Sequence, residues 1–173
     1  TGGTLALQLA ASYPEVNSLV LLSPNIAIND DKAWLLNNPW GLQIARKVTG
    51  SDERILEGKT PAYKKYWYTN YRLESVVALE ELLESAMTQE LFAKVKQPVL
   101  MLYYNKNEQE QDPVVRVDAM LKMFDQLGSK QKQQIALPNT GNHVIGSNIT
   151  SKDILGVEKA MNGFISARLA DLK

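Results

Sequence analysis

The sequence predicts an α/β domain built on a parallel sheet, and three observations carry that expectation. Apolar runs of strand length recur along the chain; each gives way to a polar loop and then to residues with helical periodicity; and 45% of the 173 residues are apolar, enough for one domain with its own core. The charge balance narrows the function. Lys and Arg equal Asp and Glu at 19 each, with no long basic run, so the electrostatic footprint of a nucleic-acid binder is missing. No apolar stretch reaches the ~18 residues of a membrane span. There is no cysteine and only one histidine, which removes disulfides and thiolate catalysis and leaves a poor donor set for zinc, so no metal and no cofactor is expected. Cytosol and periplasm both fit this composition, and the cytoplasm is the expected location.

The elements follow in order. Thr1-Gly2-Gly3 is a glycine turn, and Thr4 to Ala11 is made of good helix formers. Tyr13-Pro14 ends that helix, because a residue before proline avoids the α region. Val16 to Pro24, centred on Leu19-Val20-Leu21-Leu22, reads as a buried strand. Residues 1–25 thus form a first zone of helix and strand.

A second zone, residues 26–90, holds all three tryptophans (Trp34, Trp40, Trp67) together with Tyr63, Tyr66, Tyr68 and Tyr71. Strand-to-helix connections usually take ~2 to 6 residues, so a stretch this long reads as an insertion with its own structure, a helical lid. Helices are expected around Ala33 to Leu36, Leu42 to Val48, Ala62 to Tyr71 and Glu74 to Ala93. Its aromatics have two readings, packing of the insertion itself or contact with a substrate.

The third zone, residues 91–173, returns to the sheet. Val99 to Tyr104 is an apolar run suited to the middle of a parallel sheet. After a polar loop and Asp112-Pro113, Met120, Met123, Phe124 and Leu127 fall at helical spacing, with Gly128 as the expected stop. Gln133 to Leu137 is the next strand candidate, followed by the loop Pro138 to His143. The last helix is expected to open at Thr150, whose spacing to Asp153 suits a capping box, with Ile154, Val157, Met161, Phe164, Ile165 and Leu169 on one apolar face.

In an open parallel sheet, chemistry collects in loops at the carboxyl ends of the strands. Two such loops carry Asp112 and His143, the only histidine. A third ends at Thr1-Gly2-Gly3, which reads as the back half of a G-x-S-x-G turn whose serine would directly precede Thr1. The chain order Ser, Asp, His is one of the arrangements by which a base and an acid activate a serine.

These segments resemble the carboxyl-terminal portion of the α/β-hydrolase fold enzymes of the esterase, lipase and thioesterase kind. The resemblance rests on Thr1-Gly2-Gly3-Thr4-Leu5-Ala6-Leu7, Leu19 to Pro24, Gln97 to Leu100, Asp112-Pro113-Val114-Val115 and Gly141-Asn142-His143. It implies acyl transfer from a small-molecule ester or thioester, with His143 as base, Asp112 orienting it and the Thr1 N–H as one oxyanion-hole donor. Trp34, Trp40 and Trp67 are the candidate substrate contacts. One departure stands out: Asn107 lies at the distance from the strand where many members carry the acid. Asparagine supplies no charge, which favours Asp112, with Glu108 and Glu110 as other candidates. As a free-standing polypeptide this stretch would lack the nucleophile and half of the oxyanion hole, and is expected to be inactive.

Two other readings compete. Thr1 could itself be an N-terminal nucleophile, although such a residue should open a buried strand and here a helix-forming stretch follows. The fold could also serve as a binding module without catalysis, since fold does not fix function. Composition leaves the oligomeric state open.

Overall fold

The computed structural model describes residues 1–171; the last two residues of the third zone lie outside the described residues. Helix α1 (Gly2–Ser12) leads to strand β1 (Leu19–Leu22), and strand β4 (Val99–Tyr103) is followed by α6 (Val117–Gln126), β5 (Lys132–Ala136) and α7 (Ile154–Asp171). The three strands form one parallel sheet in the order β1-β4-β5, with Leu19 opposite Val99 and Val99 opposite Lys132. This is the expected set of strands, with Ser23, Tyr104 and Leu137 falling just beyond their ends. Among the described residues no helix is long and apolar enough to cross a membrane.

Alternation along the strands divides the core into two layers. Leu19, Leu21, Val99, Met101 and Tyr103 point to one face and pack with Leu7 of α1 and with Met120, Met123 and Phe124 of α6. Leu100 and Leu102, flanked by Val20 and Leu22, point to the other face and meet Val157 and Phe164 of α7. All five residues of β4 are buried, as a central strand covered on both faces requires. The edge strand β5 is more polar, and its Lys132 has a structural use. Its Nζ donates to the carbonyls of Phe124 (2.7 Å), Asp125 (2.9 Å) and Leu127 (3.3 Å), closing the end of α6.

That closure corrects the expected stop at Gly128. The helix ends at Gln126 with Leu127 already out of helical geometry, and the Gly128 N–H donates to the Phe92 carbonyl instead. The last helix is also opened differently. Thr150 Oγ1 donates to the Val144 carbonyl at 2.6 Å, whereas Asp153 Oδ1 accepts from the Gly156 N–H at 2.9 Å, so Asp153 is the capping side chain. On α7, Val157 and Phe164 are buried, but Ile165 and Leu169 face solvent, because the apolar stripe expected from the sequence is wider than the sheet face it covers.

Between β1 and β4 the chain forms a 3₁₀ turn (Ala33–Asn37), α2 (Gly41–Thr49), β2 (Glu53–Ile55), α3 (Pro61–Tyr66), β3 (Asn70–Arg72), α4 (Leu73–Ala86) and α5 (Gln89–Lys94). Two expectations change here. The helix anticipated over Ala62 to Tyr71 stops at Tyr66, and Asn70–Arg72 pairs antiparallel with Glu53–Ile55. The Trp67-Tyr68-Thr69 run prefers extended backbone, which wins once α3 has used its Thr60 cap and Pro61 start. The single helix anticipated over Glu74 to Ala93 is two helices. Thr88 is extended and its Oγ1 accepts from the Leu91 N–H at 3.3 Å, starting α5 afresh. Arg46 of α2 and Arg72 both pair with Glu74 of α4, at 2.8 and 2.7 Å, joining the smaller sheet and its helices.

Candidate active site

The chain leaves β4 through Tyr104 and makes a polar excursion closed by a bridge between Asn105 and Gln111. Asn107 is the pivot of that loop: its Oδ1 accepts from the Gln109 and Glu110 N–H groups at 3.0 and 2.7 Å. Glu110 faces solvent and pairs with Lys106 at 2.7 Å, and the Glu108 carbonyl accepts from Gln111. The excursion ends at Asp112, whose N–H returns to the Tyr104 carbonyl at 3.1 Å. Asp112 therefore sits directly above the end of the central strand.

Its carboxylate is fully buried and fully used. Oδ1 accepts from the N–H groups of Val114 (2.9 Å) and Val115 (3.1 Å), and Oδ2 lies 2.8 Å from His143 Nδ1. A carboxylate only accepts, so Nδ1 carries the proton in this contact, and in the neutral ring the lone pair falls on Nε2. The His143 side chain is 26% exposed against 0% for Asp112. The ring is thus oriented by a buried anion yet open to a reactant.

The His143 loop is held by local chemistry. Thr140 is buried and its Oγ1 donates to the Leu137 carbonyl at 3.0 Å; Gly141 adopts φ +66°, a left-handed turn that a residue with a Cβ enters only with strain. Asn142 Oδ1 accepts from the Val144 N–H at 3.1 Å, and buried Ile145 anchors the far side. Asn29 adds a contact the sequence did not signal, its Nδ2 donating to the Asp112 carbonyl at 3.3 Å. The second zone thereby touches the acid directly, and the bridge between Ile28 and Val115 reinforces it.

Thr1 is the N-cap of α1, its carbonyl accepting from the Leu5 N–H at 3.1 Å. It opens a helix and not a strand, which removes the architectural basis for an N-terminal nucleophile. The tryptophans have three different settings. Trp34 in the 3₁₀ turn and Trp40 before α2 are 59% and 70% exposed, whereas Trp67 stacks on Tyr63 with ring centroids 4.9 Å apart.

Sequence reasoning missed Ser23, at the carboxyl end of β1. It is the one non-glycine residue with a left-handed backbone among the described residues, at φ +43°. It is also buried, and its Oγ has no hydrogen-bond partner there; the Oδ1 of buried Asn25 is equally unpartnered. Left-handed backbone at such a residue costs on the order of 1–3 kcal/mol, and a buried orphan hydroxyl roughly another 1–3. Because its Oγ makes no hydrogen bond to His143 or Asp112, Ser23 is not activated by them.

No family model and no curated protein matches the chain. Solved structures do. The chain is similar to a chain of the metagenome-derived lipolytic enzymes LipS and LipT, with a TM-score of 0.69 and 20% identity over 96% of this chain and 62% of that one. It is similar to a monoacylglycerol lipase from Paleococcus ferrophilus, with a TM-score of 0.67 and 15% identity over 96% of this chain and 65% of that one. It is also similar to Est1E from Butyrivibrio proteoclasticus, with a TM-score of 0.55 and 16% identity over 97% of this chain and 58% of that one. The chain spans about three fifths of the length of these structures.

Proposed function

We propose that this chain, whose fold is that of the carboxyl-terminal part of α/β-hydrolase structures, is the acid-and-base half of a serine hydrolase acting on a carboxylic ester or thioester. In this reading the nucleophilic serine directly precedes Thr1, and the strand leading to it pairs with the outer edge of β1, which has a single partner among the described residues. The observation that carries the proposal is the 2.8 Å contact between the buried Asp112 carboxylate and Nδ1 of His143, the only histidine in the chain.

The chemistry follows from that pair. His143 Nε2 removes the serine proton as Oγ attacks the acyl carbonyl, and then gives it to the leaving alcohol or thiol. Asp112 keeps the proton on Nδ1 and stabilises the imidazolium. The Thr1 N–H, at the positive end of α1, is one donor to the developing oxyanion, with the second donor from outside this chain. Water repeats the sequence to release the acyl group. Residues 26–90 act as the lid, with Trp34, Trp40 and Trp67 as acyl-side contacts.

The test uses the complete protein and short-chain p-nitrophenyl esters. Wild type is expected to turn these over, His143→Ala to lose about 10⁶ in kcat, and Asp112→Asn to lose about 10⁴, since an amide offers no charge and favours the wrong tautomer. A wild type with no ester turnover and no labelling by a serine-reactive fluorophosphonate would overturn the proposal in favour of a binding module.

A further inference from the structure

We infer that Ser23 is a positioning residue for the opening turn of α1, acting through a strained turn wedged between that helix and the His143 loop. The inference rests on the serine-hydrolase reading above, in which the reacting serine directly precedes Thr1, the N-cap of α1. Ser23 still belongs to the sheet on its amide side, since its N–H donates to the Leu102 carbonyl at 2.8 Å. The left-handed φ of +43° then turns the chain sharply out of the strand direction. Two contacts with the first turn of α1 follow directly. An added Cβ on Gly3 would lie 2.7 Å from Pro24 Cβ, so helix and turn touch backbone to ring. The Thr4 hydroxyl donates to the Asn25 carbonyl at 2.6 Å, with Thr4 fully buried.

The other end of the same segment meets the base. An added Cβ on Gly146 would lie 2.9 Å from Leu22 Cδ1, so the loop carrying His143 rests on the residue before Ser23. Four consecutive residues, Leu22 to Asn25, thus space the helix that begins at Thr1 from the loop that holds the imidazole. A nucleophile and its base need that spacing held tightly, because small misplacements cost turnover steeply.

The strain identifies the device. Non-glycine residues in left-handed backbone are commonly supported by a bond from their own side chain to the nearby main chain, and Ser23 Oγ makes none. Its conformation is therefore imposed by the packing at Pro24 and Asn25, and strain persists only where the surroundings over-determine it. Glycine would remove the strain, at the expense of a hinge between nucleophile and base.

Ser23→Gly, Ser23→Ala, Thr4→Val and Thr4→Ser in the complete protein test this. Ser23→Gly is expected to leave Tm unchanged or raised while kcat falls at least tenfold, with KM and the pH midpoint of kcat/KM unchanged because the Asp112–His143 pair is intact. Ser23→Ala keeps the stiff backbone and should stay within threefold of wild type. Thr4→Val should lower kcat in the same way and Thr4→Ser should restore it. Wild-type kcat in both Ser23→Gly and Thr4→Val would overturn the inference, as would Ser23→Ala impaired as badly as Ser23→Gly, since the effect would then lie in the hydroxyl. Active-site titration with fluorophosphonate separates the two levels of the argument: an active, labelled wild type with insensitive variants sinks only the positioning role, and an unlabelled, inactive wild type sinks the hydrolase reading and this inference together.

Discussion

At the residue scale, Asp112 is defined by what its two oxygens do. One oxygen holds two backbone N–H groups and so fixes the carboxylate; the other is left for His143. Asp112→Glu is therefore expected to be a poor substitute: the longer side chain cannot serve Val114, Val115 and the imidazole at once. Turnover about as low as that of Asp112→Asn is the expected outcome, measured with the same p-nitrophenyl ester. Three acidic candidates stood within five residues in the sequence, and the charge argument against Asn107 already pointed to Asp112. What sequence could not supply was the bridge from Asn105 to Gln111 that folds Glu108 and Glu110 out of line and returns the chain to the end of β4. Ser23 was illegible for a different reason. Leu-Leu-Ser-Pro reads as an ordinary strand end, and backbone strain leaves no composition signal.

At the element scale, the caps decide where sequence reading succeeds. α1 and α2 follow helix-forming runs and both cover the expected residues, although α1 starts at Gly2 and so takes in the two glycines that the sequence reads as a turn. Two of the failures involve hydroxyl or carboxyl side chains that could cap in more than one way: Thr88 divides a run of good helix formers, and Asp153, not Thr150, opens α7. Asp153→Ala is expected to cost about 1 kcal/mol in urea unfolding, while Thr150→Ala should act on the His143 loop through the lost bond to the Val144 carbonyl. Glu80 on α4 gives a pH-dependent case. It is buried with Oε2 unpartnered, and burial, with smaller contributions from Glu84 and Asp30, raises its pKa above 4.5. A carboxyl with a raised folded pKa destabilises the fold once the unfolded form ionises, so the penalty grows as pH rises above 4.5 and is complete above the folded pKa. Glu80→Gln is expected to melt higher than wild type at neutral pH, with the difference vanishing below about pH 4; a constant difference across that range would contradict the assignment.

For the whole molecule, the parallel sheet was readable because Leu19–Leu22 and Val99–Tyr103 are continuous apolar runs, and a strand covered by helices on both faces has little room for polar residues. The antiparallel pair Glu53–Ile55 and Asn70–Arg72 was not, because two three-residue and largely exposed strands are too short to display a period. The sheet order places the loops of Asp112 and His143 beyond adjacent strands, β4 and β5, and the contacts of Gly3 with Pro24 and of Thr4 with Asn25 hold the start of α1 against the end of β1. Leu102→Ala, in the centre of the second core layer, is expected to cost about 2–5 kcal/mol by chemical denaturation. The most direct test of the central claim is to label the complete protein with a fluorophosphonate and locate the adduct by peptide mass spectrometry. The account predicts a single adduct on a serine immediately before Thr1, absent in His143→Ala; an adduct on Ser23, or labelling that persists at full rate without His143, would contradict it.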